Sequence, residues 1–198
     1  MTKQEELQLN TRQMQALLAF ARNEIALALQ APDAATSANP VLAEPVFQRK
    51  QAAFVTLRKN GTLRGCIGSL SAVESLLDSV RHNAVNAALR DPRFPPLTLQ
   101  ELEQVQIEIS VLGIPQPLPY TDVTDLLHQL EPGKDGLILE GPGKARATFL
   151  PQVWQQLPQP SRFLSELCRK AGLATDSWQK DTLSYQRYRV QSLSESRG

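Results

Sequence analysis

Two β-type apolar runs separated by an Asn-Gly turn constrain this chain more than any other feature. Residues 54–57 read Phe-Val-Thr-Leu and residues 63–68 read Leu-Arg-Gly-Cys-Ile-Gly, with Asn60 and Gly61 between the two runs. Both turn residues tolerate positive φ, which two-residue hairpin turns require. The sequence therefore predicts a β-hairpin whose second strand covers residues 62–68.

The second strand of this hairpin combines a thiol and a cation. Side chains alternate between the two faces of a strand, so Leu63 and Ile67 are expected on one face and Arg64 and Cys66 on the other. A guanidinium close to a thiol favours the reactive thiolate form. We therefore predict that Cys66 and Arg64 form a chemical centre.

The same strand also has a structural interpretation. A free cysteine is among the most buried residue types, so Cys66 is also expected to be a packing residue. Gly65 and Gly68 have no Cβ, and each allows a second backbone or a ligand to approach closely. From the residues alone, the structural and the chemical interpretations remain open.

Composition narrows the functional classes. The chain has 21 Lys and Arg residues against 20 Asp and Glu residues and no long basic block, so nucleic-acid binding is not indicated. No apolar run has the roughly 18 residues of a membrane-spanning helix, and the polar start lacks the apolar core of a signal peptide, which predicts a cytoplasmic protein. Neither cysteine and neither histidine has metal-site spacing, so we expect no metal and no cofactor.

Three polar residues further along the chain are candidates to join the centre. The Asp-Pro dipeptide of residues 91–92 ends a predicted helix, so Asp91 and Arg93 are expected in a rigid turn. That helix is predicted to begin at a Ser71/Glu74 capping box, where its first N–H groups would lie near Gly68 and help to hold an anion. Glu108 lies on the polar face of an alternating strand, residues 105–111, and this face is expected either beside Cys66 or in solvent.

Proline-rich segments set the expected domain organisation. Residues 31–46 contain three prolines and are expected to be a surface connection, while a second group at residues 115–119 marks a domain boundary. A last strand is predicted within residues 183–193. We predict an α+β fold with a larger domain of residues 1–115 and 180–198 and a smaller inserted domain of residues 116–179.

Six ordered segments of the chain resemble the AMMECR domain family, which in prokaryotes is called protein A of the AmmeMemoRadiSam system. They are residues 54–57, 63–68, 87–97, 108–112, 149–153 and 167–173, and Gly136-Leu137 adds a short match. The chain departs from the family at Ala52 and Ala53, where members often have glycine. The resemblance covers most of the chain.

The resemblance implies two α+β domains, each with an antiparallel sheet, and places residues 63–68 at their junction, with Arg64 and Cys66 facing a cleft. The system name implies two partners, a Memo-like protein and a radical SAM protein that carries its own iron–sulfur cluster. Two functions are consistent with these observations. In the first, Cys66 is a nucleophile or covalent carrier, supported by Arg64, Asp91, Arg93 and Glu108. In the second, the site binds a partner or small ligand through residues 63–68 without chemistry. Neither histidine is placed near Cys66 to serve as its base, and cysteine catalysis usually needs one.

Overall fold

The computed structural model describes residues 8–34, 39–180 and 183–195. Over these residues the chain divides into two compact units. The first consists of the chain up to Leu112 together with the residues from Gln191 onwards, and the second is Gly113–Val190. The sequence predicted that the chain returns from the smaller to the larger domain at residue 180. Residues 184–188, however, pair with strands of the second unit and belong to it.

Both units combine helices with a four-stranded sheet, so the fold is α+β. The sheet of the first unit has the order β2-β1-β3-β8, and its strands are β1 Ala53–Lys59, β2 Thr62–Gly68, β3 Val105–Leu112 and β8 Val190–Ser194. Its helices are α1 Thr11–Ala28, α2 Leu76–Leu89 and α3 Leu99–Leu102.

The β1–β2 hairpin confirms the prediction from the Asn-Gly turn. The strands are antiparallel, and Asn60 and Gly61 adopt positive φ values of 51° and 77°. Strand β2 is the outermost strand of the sheet, and β1 separates it from β3.

One face of the first sheet carries the hydrophobic core. Its alternating apolar side chains, among them Val55, Leu57, Ile107 and Ile109, form one buried cluster with α1 and α2. The registers place Cys66 and Glu108 on either side of Thr56, so all three side chains share the opposite face. The predicted alternation of β3 between an apolar and a polar face is confirmed.

Helix α2 begins later than the sequence predicted. Its N-cap is Ser75, whose hydroxyl accepts from the Asp78 N–H at 3.1 Å, and not Ser71. The Leu76 N–H donates to the Arg49 carbonyl at 2.9 Å. Protein groups therefore accept from the Leu76 and Asp78 N–H groups, and residues 69–75 separate Gly68 from the helix start, so the expected anion site near Gly68 stays a prediction.

The connection before the hairpin is also more structured than expected. Two short 3-10 helices, Pro40–Ala43 and Pro45–Gln48, interrupt it, and Val41, Leu42 and Phe47 are buried in the first core. Residues 35–38 of this predicted connection lie outside the described residues.

The sheet of the second unit has the order β4-β7-β5-β6. Its strands are β4 Gln116–Pro117, β5 Gly136–Glu140, β6 Arg146–Phe149 and β7 Ser184–Tyr188, and its helices are α4 Val123–Gln129 and α5 Pro160–Lys170. Three further 3-10 helices are Pro142–Lys144, Pro151–Gln155 and Ser177–Gln179. Trp154 stacks on Phe163 with ring centres 3.8 Å apart inside a separate core.

The single last strand expected over residues 183–193 is two strands that belong to different sheets. Strand β7 pairs with β5, whereas β8 is the outer neighbour of β3. Arg189 lies between them. Among the helices that the structure describes, none has the length and apolar character to cross a membrane.

Candidate functional site

Gly65 and Gly68, the two glycines of strand β2, allow close packing. A Cβ on Gly65 would lie 2.2 Å from the Ala87 carbonyl oxygen, so this glycine lets β2 contact the backbone of α2. A Cβ on Gly68 would lie 2.3 Å from the Phe54 ring. Protein atoms therefore occupy the space that both glycines leave, and the access for a ligand that the sequence also allowed is not seen at either position.

Cys66 is a half-buried residue whose side chain lies on the polar face of the sheet. Thr56 lies directly opposite Cys66 in the hairpin register, and its hydroxyl donates to Sγ at 3.3 Å. Thr56 is 8% exposed, so this donor is fixed by its surroundings. The hydroxyl is a group that stabilises negative charge on sulfur.

The peptide groups of Cys66 are held by two side chains from the turn that follows α2. The Cys66 N–H donates to Asp91 Oδ2 at 2.9 Å, and Arg93 Nη2 donates to the Cys66 carbonyl oxygen at 3.1 Å. Asp91 and Arg93 also bind each other, with Nη2 and Oδ2 2.6 Å apart. The pair therefore fixes the backbone that carries the thiol.

The electrostatics of this pair follow from its contacts. Hydrogen bonds from Arg93, and from the Cys66 N–H, hold the pKa of Asp91 far below its usual range although the carboxylate is only 4% exposed. The pKa of Arg93 is raised, chiefly by its hydrogen bond to Asp91, with a smaller contribution from Cys66. A negatively charged Asp91 and a positively charged Arg93 thus flank the residue that bears the thiol.

Arg64 has different partners from those expected. Its guanidinium donates to both carboxylate oxygens of Glu101, at 3.3 Å and 3.0 Å, and lies 5.9 Å from the ring centre of Phe94. Lys59 binds the same carboxylate at 3.1 Å. These hydrogen bonds lower the pKa of Glu101 from 4.5 to about 2. Arg64 lies two residues from Cys66 in β2. Among the described residues, however, it is the guanidinium of Arg93 that binds Cys66, at its carbonyl oxygen.

Glu108 lies in the same row of side chains as Cys66, but β1 lies between them. It is opposite Thr56 in the β1–β3 register, and its carboxylate is 3.9 Å from Arg58 and 3.3 Å from the Ser194 hydroxyl. Of the four polar candidates to join Cys66, Asp91 and Arg93 therefore contact it, whereas Arg64 and Glu108 contact other groups. The apolar candidates Leu63 and Ile67 are half-buried in β2, and Ile67 packs against the first core.

Sequence reasoning missed several members of this arrangement, namely Thr56, Glu101, Phe94 and Lys59. Glu101 also takes part in the capping box of α3, where its side chain accepts from the Thr98 N–H. Thr56 carried a usable signal, because it is the single polar residue within the apolar run before the hairpin turn. Nothing local marks Phe94, whose ring centre lies 5.9 Å from the Arg64 guanidinium and 5.5 Å from that of Arg93.

Among the described residues, no group of three or more His, Cys, Asp or Glu side chains is placed to hold a metal ion. His82 pairs with Glu74 at 2.8 Å, whereas Asp78 pairs with Arg81. Cys168 is fully buried in the second core, and this burial raises the pKa of its thiol. The arrangement around Cys66 can hold a thiol nucleophile and polarise a bound ligand, but its described contacts contain no imidazole base.

Comparisons with known proteins give one family. The AMMECR1 family model matches residues 18–193. A protein of Methanothermobacter thermautotrophicus is 40% identical over 151 residues, which are 76% of this chain and 78% of that protein. A protein of Thermofilum pendens is 39% identical over 167 residues, covering 77% of this chain and 76% of its own length. The crystal structure of the uncharacterized protein PH0010 from Pyrococcus horikoshii superposes with a TM-score of 0.83 at 28% identity, covering 95% of this chain and 94% of that one.

Proposed function

Because the chain belongs to the AMMECR1 family, we propose that its functional centre is the strand segment of residues 63–68, with Cys66 as the residue that reacts with a ligand. The observation that supports this most directly is the set of hydrogen bonds that hold Cys66. Its sulfur accepts from the Thr56 hydroxyl, while its N–H is bound by the buried Asp91 and its carbonyl oxygen by the half-exposed Arg93. A cysteine needed only for packing is expected to be fully buried and does not require a donor to its sulfur, whereas Cys66 is half-buried and has one.

The proposed reaction is a displacement at an electrophilic carbon. Sγ forms a bond to that carbon, and the leaving group departs with the electrons of the bond that breaks. The proton lost by the thiol passes to the leaving group or to water, so no oxidant or reductant is needed. The Thr56 hydroxyl donates to the sulfur, while Asp91 and Arg93 bind the N–H and carbonyl groups of Cys66, so these three residues position the thiol for the attack.

We further propose that the protein acts in the cytoplasm with a Memo-like protein and a radical SAM protein. This part of the proposal rests on the resemblance of the sequence to the AmmeMemoRadiSam system. Arg64 and Glu108 are the polar groups that would orient a ligand or partner beside the thiol. Arg64 is held by Glu101, which keeps its guanidinium in one position.

A second candidate is a binding module that makes and breaks no bonds. One observation favours it: the described contacts of the Cys66 sulfur include neither a histidine nor a carboxylate that could remove its proton. In that case Arg64, and not Cys66, would make the principal contact with the partner.

Intact-mass analysis separates these candidates. Wild-type protein and Cys66→Ser are purified from cells that contain the Memo-like and radical SAM proteins. A mass adduct on wild type that is missing from a folded Cys66→Ser variant is expected for the reactive thiol. Retained partners with Cys66→Ser, no adduct on wild type and loss of partners with Arg64→Ala would instead indicate the binding module.

One outcome would contradict both candidates. If neither substitution changed the mass or the bound partners, while both lowered the melting temperature, residues 63–68 would serve the structure alone. Cys168→Ser is the control, because Cys168 is fully buried in the other core and should carry no adduct.

A further inference from the structure

The charged side chains around strand β2 carry a net positive charge. Lys59 and Arg64 share the single carboxylate of Glu101, and Arg93 is paired with Asp91. This cluster of described residues therefore contains three cations and two carboxylates.

The guanidinium of Arg64 is incompletely paired. The residue is 8% exposed, and its Nε and Nη2 atoms bind Glu101. Its Nη1 atom is buried and has no hydrogen-bond acceptor in the described part of the protein. A buried charged donor without an acceptor is unfavourable, and an oxyanion supplies the strongest acceptor for it.

The guanidinium of Arg93 adds a second donor close to the thiol. Its Nε and Nη2 atoms bind Asp91 and the Cys66 carbonyl oxygen, and the side chain is 53% exposed. The Phe94 ring lies within cation–π distance of both guanidinium groups, at 5.9 Å from Arg64 and 5.5 Å from Arg93. Both cations are thus gathered around one aromatic ring beside β2.

We infer that the ligand of this site carries an oxyanion, such as a carboxylate or a phosphate group, close to the carbon that Cys66 attacks. The inference rests on the proposed function, because it names the class of ligand for the same thiol. Arg93 attracts the oxyanion to the thiol, and Arg64 contributes the buried donor that lacks a partner. The net positive charge of the cluster attracts anionic ligands and gives no such attraction to neutral ones.

Two alkylating reagents that differ in charge test this inference. Iodoacetate carries a carboxylate beside its electrophilic carbon, and iodoacetamide carries a neutral amide in its place. In each case sulfur displaces iodide, the C–S bond forms, and the thiol proton is released to the buffer. The rates at Cys66 and Cys168 are measured separately by mass spectrometry of peptides from the folded, full-length protein.

The quantity compared is the iodoacetate rate divided by the iodoacetamide rate, with glutathione as the reference thiol. At low ionic strength we expect this ratio at Cys66 to exceed that of glutathione by about three- to tenfold, and to approach it in about 0.5 M salt, because exposed charges are screened. This salt dependence is measured on the wild-type protein, so it needs no variant.

Variants then assign the preference to individual cations. Arg93→Gln and Arg64→Gln should each lower the ratio, and Arg93→Lys should restore part of it because the charge is kept. Arg12→Gln is the matched control, since Arg12 is an exposed arginine on α1 and its loss changes the net charge equally.

The outcomes are distinguishable. If Cys66 reacts with iodoacetamide but shows the ratio of glutathione at every salt concentration, the oxyanion inference is overturned while the reactive thiol stands. If Cys66 in the folded protein reacts with neither reagent, the proposed function fails and the inference fails with it. A ratio that falls equally in Arg12→Gln would also overturn the inference, since it would reflect net charge alone.

Discussion

The hydroxyl of Thr56 bonds to the Cys66 sulfur, and Thr56→Val removes it at similar side-chain volume. A donor to sulfur stabilises the thiolate, so we predict that the iodoacetamide rate of Cys66 in Thr56→Val falls by about threefold or more at neutral pH. Thr62→Val is the control, because Thr62 is an exposed threonine of β2, the strand that carries Cys66. An unchanged or faster rate would show that the hydroxyl accepts from the thiol and does not activate it.

The carboxylate of Glu101 makes stability depend on pH. Its hydrogen bonds to Arg64 and Lys59 lower its pKa in the folded protein from 4.5 to about 2. A lowered pKa means that the stabilisation is fully present above pH 4.5 and is lost as the pH falls towards 2. We predict that the free energy of unfolding decreases over this range, and that Glu101→Gln weakens the decrease.

Urea unfolding at a series of pH values measures this effect. Glu103→Gln is the matched control, since it removes an exposed carboxylate two residues along the chain. Equal slopes for the Glu101→Gln and wild-type proteins would contradict the assignment of the ion pair.

The site residues could be predicted only in part. The Asp-Pro dipeptide indicated the turn that contains Asp91 and Arg93. In the structure the side chains of both residues bind the peptide groups of Cys66. The pairing of Arg64 with Glu101 joins positions 37 residues apart and depends on where α3 packs. No local sequence pattern predicts this pairing. From the sequence, Arg64 was therefore expected to lie beside the thiol of Cys66, which is only two residues away.

At the scale of elements, the close contact between β2 and α2 depends on Gly65. Gly65→Ala would place a methyl group 2.2 Å from the Ala87 carbonyl oxygen, which belongs to the helix backbone and cannot rotate away. We predict a loss of about 1–3 kcal/mol in the free energy of unfolding, which exceeds the gain of about 0.4–1 kcal/mol that alanine brings through the unfolded chain. Urea unfolding measures it, and a neutral or stabilising substitution would show that the strand and helix are not in tight contact.

Element boundaries show why local patterns succeed or fail. The Asn-Gly hairpin is confirmed because all its determinants lie within a few residues, and the Thr98/Glu101 capping box of α3 is equally local. Ser71/Glu74 had the same form as a capping box, but α2 begins after Ser75. The deciding contacts are the Leu76 N–H to the Arg49 carbonyl and the bridge between Lys50 and Ser75, which bring in a distant segment.

At the scale of the whole molecule, each unit has its own core. Leu57 and Leu164 are both fully buried, the first in one core and the second in the other. Each Leu→Ala substitution is expected to cost about 2–5 kcal/mol in the unit that contains it. Both tryptophans, Trp154 and Trp178, belong to the second core, so their fluorescence reports on that unit.

We predict that the two units unfold as separate cooperative units. Leu164→Ala should then lower the urea midpoint seen by tryptophan fluorescence, whereas Leu57→Ala should leave that midpoint unchanged and shift part of the far-ultraviolet circular dichroism signal. If both variants moved both signals equally, the chain would unfold as one cooperative unit.

The two side chains that hold the Cys66 peptide have a consequence for solubility. Strand β2 is outermost in its sheet, and such strands recruit strands from other molecules through their free N–H and C=O groups. At Cys66 these two groups are already bound by Asp91 and Arg93, which occupy the positions that a neighbouring strand would take. We therefore predict that the pair that positions the thiol also opposes aggregation, and that a double Asp91→Ala, Arg93→Ala variant scatters more light than wild type as its concentration rises.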